Sequence, residues 1–285
     1  MYKIDIIIVN YNNFYDTIEC LESLKNNEYE DYRVIIVDNA SQNESVEKLE
    51  QYIYGKDNMT LIALEENIGF AGGNNVAIEK SIKDEIDAVL LLNNDTEVEP
   101  DFLVNLVKGW NANTLRAPLI YNFYNKKEVW YAAGRFNKIK CIVENGNHKK
   151  YSKVSFVSGC CALIPINVIK EIGLMKEDYF MYCEDAEYSL RCEKYGIEME
   201  YIPDSIIYHK EGGSSGGDRS KLSIYYNNRN RFYLLDEYKL GKFAYAYTYL
   251  SRLYRFFASY VTRSNDRVIR DAYKDYKKGV RGKLK

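Results

Sequence analysis

Residues 4–12 read Ile-Asp-Ile-Ile-Ile-Val-Asn-Tyr-Asn, a run of mostly β-branched side chains that ends in polar ones. A nearly continuous apolar run is typical of a strand that is buried on both faces, as in a parallel sheet. Similar runs recur at residues 33–37, 60–64 and 88–92, with helical spacing between them. The alternation predicts an α/β fold with a mostly parallel central sheet flanked by helices.

Local signals also predict where the helices begin. Ser41 and Glu44 have the spacing of a capping box, which predicts a helix start there. Gly72 and Gly73 are expected to precede the third helix, and Pro100 suits the first turn of the fourth.

The second half of the chain has weaker periodicity. We expect, in order, an irregular or antiparallel excursion at 111–153, a strand at 154–164, a helix at 166–172, strands at 200–203 and 205–209, a mobile Gly/Ser loop at 212–217, and helices rich in Tyr, Phe and Arg.

Composition bounds the class of protein. The chain has 285 residues, 46% hydrophobic and 28% charged, which is ordinary for a globular protein. Its six Cys form no CxxC pair, and no leader-like stretch opens the chain, so we expect free thiols in a reducing cytoplasm. No apolar run approaches the roughly 20 residues of a spanning helix.

Charge is distributed unevenly along the chain. Residues 239–285 contain 13 basic and 3 acidic side chains, a net +10, which leaves −12 for the remainder of a chain whose total is −2. This asymmetry predicts an anionic partner for the C-terminal region.

Polar residues follow three predicted strands, at residues 10–12, 38–39 and 93–95. Because ligands of open α/β sheets bind beyond the carboxyl ends of the strands, these residues predict a binding site at one edge. Asp95 there, and His209 at the end of a later strand, could hold a divalent cation and through it a diphosphate. A turn at Asp95 and a structural role for His209 are the plainer alternatives. The other histidine, His148, is expected at the surface.

Residues 179–191 carry a Glu184-Asp185 pair after an aromatic cluster and at the start of a helical pattern. A partly desolvated carboxylate there could act as a general base. Acids are also common in a first helical turn for electrostatic reasons alone, and both interpretations stay open at this point.

Residues 67–75 are rich in Gly and open a helix, whose backbone amides could receive phosphate or hydroxyl groups. Their spacing is neither GxGxxG nor GxxxxGK[ST], which argues against a dinucleotide-dependent dehydrogenase and a P-loop NTPase. A tight turn with close helix packing is the structural alternative.

An ordered set of motifs resembles the inverting family-2 glycosyltransferases of GT-A fold, in particular their rhamnosyltransferase-like branch. The motifs are Val9-Asn10-Tyr11-Asn12, Val37-Asp38-Asn39, Asn67-Ile68-Gly69-Phe70-Ala71-Gly72-Gly73-Asn74, Asn93-Asn94-Asp95, Gly159-Cys160-Cys161, Cys183-Glu184-Asp185, Tyr201-Ile202-Pro203 and Tyr208-His209. The resemblance covers residues 2 to about 213 and implies a catalytic domain at 1–213, followed by a basic, aromatic-rich helical region at 214–285.

The resemblance also implies roles for individual residues. The nucleotide would be held by Val9, Asn10, Tyr11, Asp38, Asn67, Gly73 and Asn94. Asp95 matches the second acid of an Asp-x-Asp motif that binds Mn²⁺ or Mg²⁺, Asn93 replaces the first, and His209 would be a further ligand. Asp185 would be the catalytic base, with Glu184 and Tyr182 on the acceptor.

The implied reaction moves a sugar from a nucleotide-diphosphate sugar to a glycan, lipid-linked in many related enzymes, in bacterial cell-surface polysaccharide synthesis. The basic, aromatic C-terminal region would lie on an anionic membrane surface at the inner face of the cell membrane. Packing of those helices on the catalytic domain is the alternative. No nucleic-acid partner is expected, and a homodimer stays open.

Two other classes remain as alternatives. A sugar nucleotidyltransferase is also a nucleotide-binding α/β enzyme, but it usually carries a Gly-rich segment with Arg near its N-terminus, where this chain has Val9-Asn10-Tyr11-Asn12. A non-catalytic nucleotide-sugar-binding or scaffold protein is conceivable because Asn93 replaces an acid.

Overall fold

The computed structural model describes residues 1–210, 220–262 and 264–284. Its strands are β1 Ile4–Asn10, β2 Tyr32–Asp38, β3 Met59–Ala63, β4 Ala88–Leu92, β5 Thr96–Val98, β6 Leu115–Asn122, β7 Val129–Tyr131, β8 Arg135–Asn137, β9 Ile142–Glu144, β10 Ser152–Lys153, β11 Cys161–Pro165 and β12 Met199–His209. Its helices are α1 Phe14–Leu24, α2 Ser45–Ile53, α3 Gly69–Lys83, α4 Phe102–Val107, α5 Ile166–Ile172, α6 Glu184–Tyr195, α7 Lys221–Glu237, α8 Lys242–Thr262 and α9 Ile269–Lys277. The predicted Gly/Ser loop at 212–217 and the predicted boundary at 213/214 lie outside the described residues.

A ten-stranded sheet forms the centre of the fold. Its order is β10-β12-β6-β11-β4-β1-β2-β3, with β5 paired to β12 and β7 paired to β6. Strands β4, β1, β2 and β3 are parallel to one another, and β6 is parallel to β12. Strand β11 runs antiparallel to both β4 and β6 and joins the two parallel parts. The β-branched run of β1 is buried on both faces, as its composition predicts.

Two predicted helix starts are wrong. Helix α2 begins at Ser45 with no side-chain cap, because the Ser41 hydroxyl donates to Asp38 at 2.7 Å instead of capping the helix. Gly72 and Gly73 lie inside α3, which begins at Gly69.

The region around residues 111–153 contains more regular structure than its sequence indicates. Strand β6 lies here, in the middle of the sheet, and it contains Pro118. Proline has no backbone N–H to donate to the hydrogen bonds between strands. Ile202, the residue paired with Pro118, lies where the register of β12 shifts. The two predicted strands at 200–203 and 205–209 are therefore one irregular strand. The strand predicted at 154–164 begins only at Cys161.

The C-terminal helices differ in how they are buried. Helix α7 is buried around most of its circumference, and Phe232, Leu234 and Leu235 belong to the main hydrophobic core. Helix α8 instead exposes many of its aromatic side chains. Within the described ranges, no helix is both long and apolar enough to cross a membrane.

Candidate active site

A cavity of about 960 Å³ opens at the carboxyl ends of β1 and β4 and extends to α6, α7 and α8. Parallel strands end at one edge, so side chains from distant parts of the chain meet there. The predicted site residues that line the cavity are Val9, Tyr11, Asn67, Asn94, Asp95, Tyr182, Glu184, Asp185 and His209. The predicted site residues Asn10, Asp38 and Gly73 do not line it.

Asn10 and Asp38 lie behind the cavity wall. Both are fully buried, and the Asn10 amide donates to Asp38 at 2.6 Å. Asp38 also accepts from the backbone and the hydroxyl of Ser41, while Asn10 accepts from Thr17. Their polar atoms are thus bonded within the protein, and the network fixes the ends of β1 and β2.

The backbone amides at the start of α3 are hydrogen-bonded within the protein, although the glycines there suggest an anion-binding site. The backbone amides of Ile68, Gly69 and Phe70 already donate to Asn39, to Asn67 and to the Phe180 carbonyl, at 3.0, 2.9 and 2.7 Å. These three amides therefore have protein partners. The prediction that the amides at this start receive phosphate is wrong for them.

Gly73 has a packing role that its sequence context does not reveal. A Cβ at this position would lie 3.0 Å from the side chain of Val9, which lines the cavity. The absence of a side chain at Gly73 lets α3 pack closely against the end of β1.

Asp95 and His209 lie together at the end of β4 and the end of β12. Asp95 Oδ1 is 3.1 Å from His209 Nε2, and both side chains are buried. The indole of Trp130 packs edge-on against the imidazole at 4.5 Å between ring centroids. The other imidazole nitrogen, His209 Nδ1, is buried without a hydrogen-bond partner.

A divalent cation fits this pair of side chains. Carboxylate oxygens are preferred ligands of Mg²⁺ and Mn²⁺, and neutral imidazole is a common metal ligand. Two atoms 3.1 Å apart are close enough to belong to one coordination shell with ligands at about 2.1 Å. The described residues contain no group of three or more His, Cys, Asp or Glu that could hold a metal ion. Mg²⁺ commonly completes its shell with substrate phosphates and water.

Glu184 and Asp185 begin α6 and have different surroundings. Asp185 accepts hydrogen bonds from the backbone amides of Gly159 at 3.2 Å and Ala186 at 2.7 Å. Burial raises the pKa of Asp185, and these hydrogen bonds oppose the rise. Burial and the neighbouring Asp185 raise the pKa of Glu184 to about 8. Glu184 Oε2 is buried with no hydrogen-bond partner. Burial and the neighbouring Asp185 thus favour the protonated form of Glu184, while two backbone amides stabilise the ionised form of Asp185.

The loop before this pair is held in an unusual conformation. Phe180, Tyr182 and Cys183 have φ angles of 62°, 63° and 71°, which L-residues rarely adopt. The side-chain amide of Asn230 on α7 donates to the carbonyl oxygens of Tyr179, Met181 and Tyr182 at 2.8, 2.9 and 2.8 Å. Helix α7 thereby fixes the backbone that positions Glu184 and Asp185.

Three residues that contribute to this site were not among the predicted site residues. Asn39 bridges the end of β2 and the start of α3, Gly159 donates to Asp185, and Asn230 holds the loop that precedes α6. Asn39 and Gly159 stand inside motifs that carry the family resemblance, so their positions offered a signal. Asn230 lies far along the chain in a Tyr- and Arg-rich helix, where nothing local marks it.

Comparisons with known proteins identify the family that the chain resembles. The family model described as glycosyl transferase family 2 matches residues 5–173. The dTDP-rhamnosyl transferase RfbF of Shigella flexneri is 27% identical over 245 residues, which cover 80% of this chain and 78% of that protein. The low-salt glycan biosynthesis hexosyltransferase Agl10 of Haloferax volcanii is 27% identical over 237 residues, covering 80% of this chain and 74% of that protein.

Solved structures share the fold at low sequence identity. GalNAc-T7 with UDP, GalNAc and Mn²⁺ superposes with a TM-score of 0.67 at 17% identity, over 80% of this chain and 47% of that chain. The mannosyltransferase PcManGT from Pyrobaculum calidifontis, with GDP-Man and Mn²⁺, superposes with a TM-score of 0.62 at 15% identity, over 99% of this chain and 76% of that chain. These likenesses confirm the predicted GT-A fold.

Proposed function

The chain belongs to glycosyl transferase family 2, and we propose that it transfers a sugar from a nucleotide-diphosphate sugar to a hydroxyl of a glycan with inversion at the anomeric carbon. One observation carries the proposal: a single cavity is lined by Asp185, which can serve as a base, and by Asp95 and His209, which can hold a cation. Relatives named for rhamnosyl and hexosyl transfer support a hexose or deoxyhexose donor in polysaccharide synthesis.

Asp185 is the base of the proposed step. It accepts the proton of the acceptor hydroxyl while that oxygen forms a bond to the anomeric carbon. The bond from this carbon to the diphosphate oxygen breaks, and its electron pair leaves with the nucleoside diphosphate. A single displacement from the opposite side inverts the configuration. The raised pKa of Asp185 makes it a stronger base than an exposed aspartate.

Glu184 has a complementary role on the acceptor. A carboxyl group that keeps its proton near neutral pH can donate a hydrogen bond, which a carboxylate cannot do. Its Oε2 atom, which has no partner in the protein, would bond to an acceptor hydroxyl. Tyr182, two residues earlier, would form part of the same acceptor wall.

The donor occupies the other part of the cavity. Val9, Tyr11, Asn67 and Asn94 would contact the nucleotide. Asp95 and His209 would hold the Mn²⁺ or Mg²⁺, which offsets the charge of the leaving diphosphate when bound. Asn10, Asp38 and Gly73, placed behind the wall, would support these residues without contacting the nucleotide.

The proposed acceptor is linked to a lipid, and the observation that favours this is the inverted polarity of α8. The face turned to the protein carries Ala244, Thr248, Arg252 and Ser259, all buried. The exposed face carries a stripe at helical spacing, which we call the apolar stripe: Phe243, Tyr247, Leu250, Tyr254, Phe257 and Val261. Exposing this many apolar side chains to water is unfavourable, whereas their contact with an apolar medium is favourable.

The occupant that we propose for the apolar stripe is an anionic bilayer surface. Residues 242–262 contain no Asp or Glu. Arg267 and Arg270, next along the chain, lie over the rings of Tyr260 and Phe256 at 4.6 and 6.0 Å. An apolar stripe bordered by cations is suited to anionic lipid headgroups. The enzyme would then work peripherally at the inner face of the cell membrane.

Release of nucleoside diphosphate from a panel of nucleotide sugars, with and without Mn²⁺, tests the proposed reaction. Mn²⁺-dependent release from at least one donor is expected. A non-catalytic binding protein would release none from any donor. Family membership itself argues against a nucleotidyltransferase.

A further inference from the structure

The cavity has a cationic side that the proposed donor site does not use. Four basic side chains of the C-terminal region line it: Arg231, Arg252, Arg255 and Lys283. Arg255 pairs with Asp266 at 2.6 Å. Among the described residues, no carboxylate lies within ion-pair distance of the other three.

Arg252 is the most constrained of these cations. It is 8% exposed, its Nε donates to Asn228 Oδ1 at 3.1 Å, and its Nη1 donates to Ser251 at 2.8 Å. Both partners are neutral, so they fix the plane of the guanidinium without balancing its charge. A buried charge without a counter-ion is costly, and its retention beside a cavity points to an anionic ligand.

Arg231 adds a second charge to the same wall. Asn228, which holds Arg252, and Arg231 are three residues apart on α7 and therefore share a face of the helix. Arg231 Nε is buried without a hydrogen-bond partner. The Arg231 charge lowers the pKa of the Cys183 thiol against the larger effect of burial, which places the charge near the residue before Glu184.

Arg229, also on α7, differs from Arg231 in how completely its guanidinium is hydrogen-bonded. Arg229 is fully buried and donates to Asn230, Gly282 and Tyr179. Its guanidinium also lies over the Tyr226 ring at 4.8 Å. Among the described residues Arg229 has no ion pair either, but all three of its guanidinium nitrogens donate hydrogen bonds, whereas Arg231 Nε has no partner and Arg252 donates from Nε and Nη1.

We propose that Arg231 and Arg252, assisted by Lys283, form a subsite for a phosphate or diphosphate group of the acceptor. Guanidinium groups bind phosphate oxygens in pairs, and two of them with an ammonium match the charge of such a group. Arg252 lies on the buried face of α8 and the apolar stripe on its exposed face, so the same helix would contact both the phosphate in the cavity and the bilayer surface. This inference rests on the proposed function, because it assumes that the acceptor enters beside Glu184 and Asp185.

The test measures binding of inorganic diphosphate by calorimetry in EDTA, which removes divalent cations from the donor side. We expect Arg252→Gln and Arg231→Gln each to weaken binding at least tenfold, since each removes a charge-assisted pair of hydrogen bonds. Arg252→Lys should retain part of the affinity. Arg270→Gln, a matched change outside the cavity, and Asp95→Asn at the donor side should not weaken it. Thermal melting identifies any variant that is unfolded.

Unchanged diphosphate binding in folded Arg231→Gln and Arg252→Gln would overturn the proposal. The proposal would also fail if these variants bound diphosphate normally but bound phosphatidylglycerol vesicles more weakly. The two arginines would then contact the bilayer and not the acceptor phosphate. Slow release of nucleoside diphosphate from the donor to water is measured in parallel on the wild-type protein. Absence of this release in the wild type would count against the proposed function, while the diphosphate titration would still report on the subsite.

Discussion

The side-chain amide of Asn230 donates a hydrogen bond of 2.8 Å to the carbonyl oxygen of Tyr182, two residues before Glu184. The same nitrogen contacts the carbonyl oxygens of Tyr179 and Met181. A helix far along the chain thus fixes a loop of left-handed residues that would not hold this conformation alone. The C-terminal region is in this way part of the candidate active site.

Asn230→Asp tests this relationship with almost no change in shape. The substitution replaces the donor with a carboxylate oxygen facing three carbonyl oxygens, so we expect a loss of about 3 kcal/mol in the free energy of unfolding. The rate of transfer should fall more than the affinity for nucleotide, because the loop positions the proposed base at the start of α6 and not the proposed donor site. Chemical denaturation and nucleotide titration measure the two effects. Wild-type transfer by the variant would show that Asn230 has no positioning role.

Gly69→Ala should disrupt the contact between the start of α3 and the loop that precedes α6. A Cβ on Gly69 would lie 2.2 Å from the Phe180 carbonyl oxygen, at a φ of +83°. We expect a destabilisation of about 3 kcal/mol or more and a loss of activity.

Gly55→Ala is the matched control, because Gly55 has a φ of +74° with nothing within 4 Å of the added Cβ. It should cost only the backbone strain, about 1 kcal/mol. Equal effects of the two substitutions in thermal or urea unfolding would contradict the close approach of Gly69 to Phe180.

Glu184→Gln should stabilise the protein in a pH-dependent way. The folded-state pKa is raised from 4.5 to about 8, so the folded protein holds a proton that the unfolded chain releases. The stability of the wild type therefore falls as pH rises from about 4.5 to about 8, and glutamine removes this loss. Even half of this shift in the pKa of Glu184 would lower the free energy of unfolding of the wild type at pH 8 by roughly 2 kcal/mol. Urea unfolding at pH 4.5 and pH 8 should show a gain only at the higher pH. A gain of equal size at both would be inconsistent with a buried acid.

The apolar stripe of α8 should control binding to lipid. The double substitution Leu250→Glu, Phe257→Glu places two charges on the proposed bilayer face, and we expect at least fivefold lower co-sedimentation with phosphatidylglycerol vesicles. Tyr54→Glu is the control, because Tyr54 is 89% exposed and lies far from α8 in the sequence. It should have no effect on co-sedimentation. The stripe would have another partner if the double substitution left co-sedimentation unchanged, or if it dissociated a dimer and did not weaken lipid binding.

The sequence predicts the parts of the site that depend on local periodicity. Asn10 and Asp38 end buried parallel strands and Asp95 follows one, so their position at one edge follows from the pattern alone. Periodicity cannot show that Asn10 and Asp38 bond to each other behind the wall, because that depends on side-chain orientation after folding.

The remaining features depend on contacts between distant segments. Strand β6 is obscured by Pro118 and by the buried Arg116, whose charge is paired with Glu200 on β12. Asn230 meets its partners only when α7 packs beside the loop that precedes α6, and Arg252 meets Asn228 only when α8 packs against α7. No spacing within either helix indicates these partners.

The most direct test of the central claim is the rate of nucleoside diphosphate release by Asp185→Asn with Mn²⁺ and the donor that the wild type turns over. The amide keeps the shape of the side chain but cannot accept the proton of the acceptor hydroxyl, so turnover should fall by about a hundredfold or more. Affinity for the nucleotide should stay within about twofold, because the role proposed for Asp185 is toward the acceptor. Turnover near that of the wild type would contradict the assignment of Asp185 as the base.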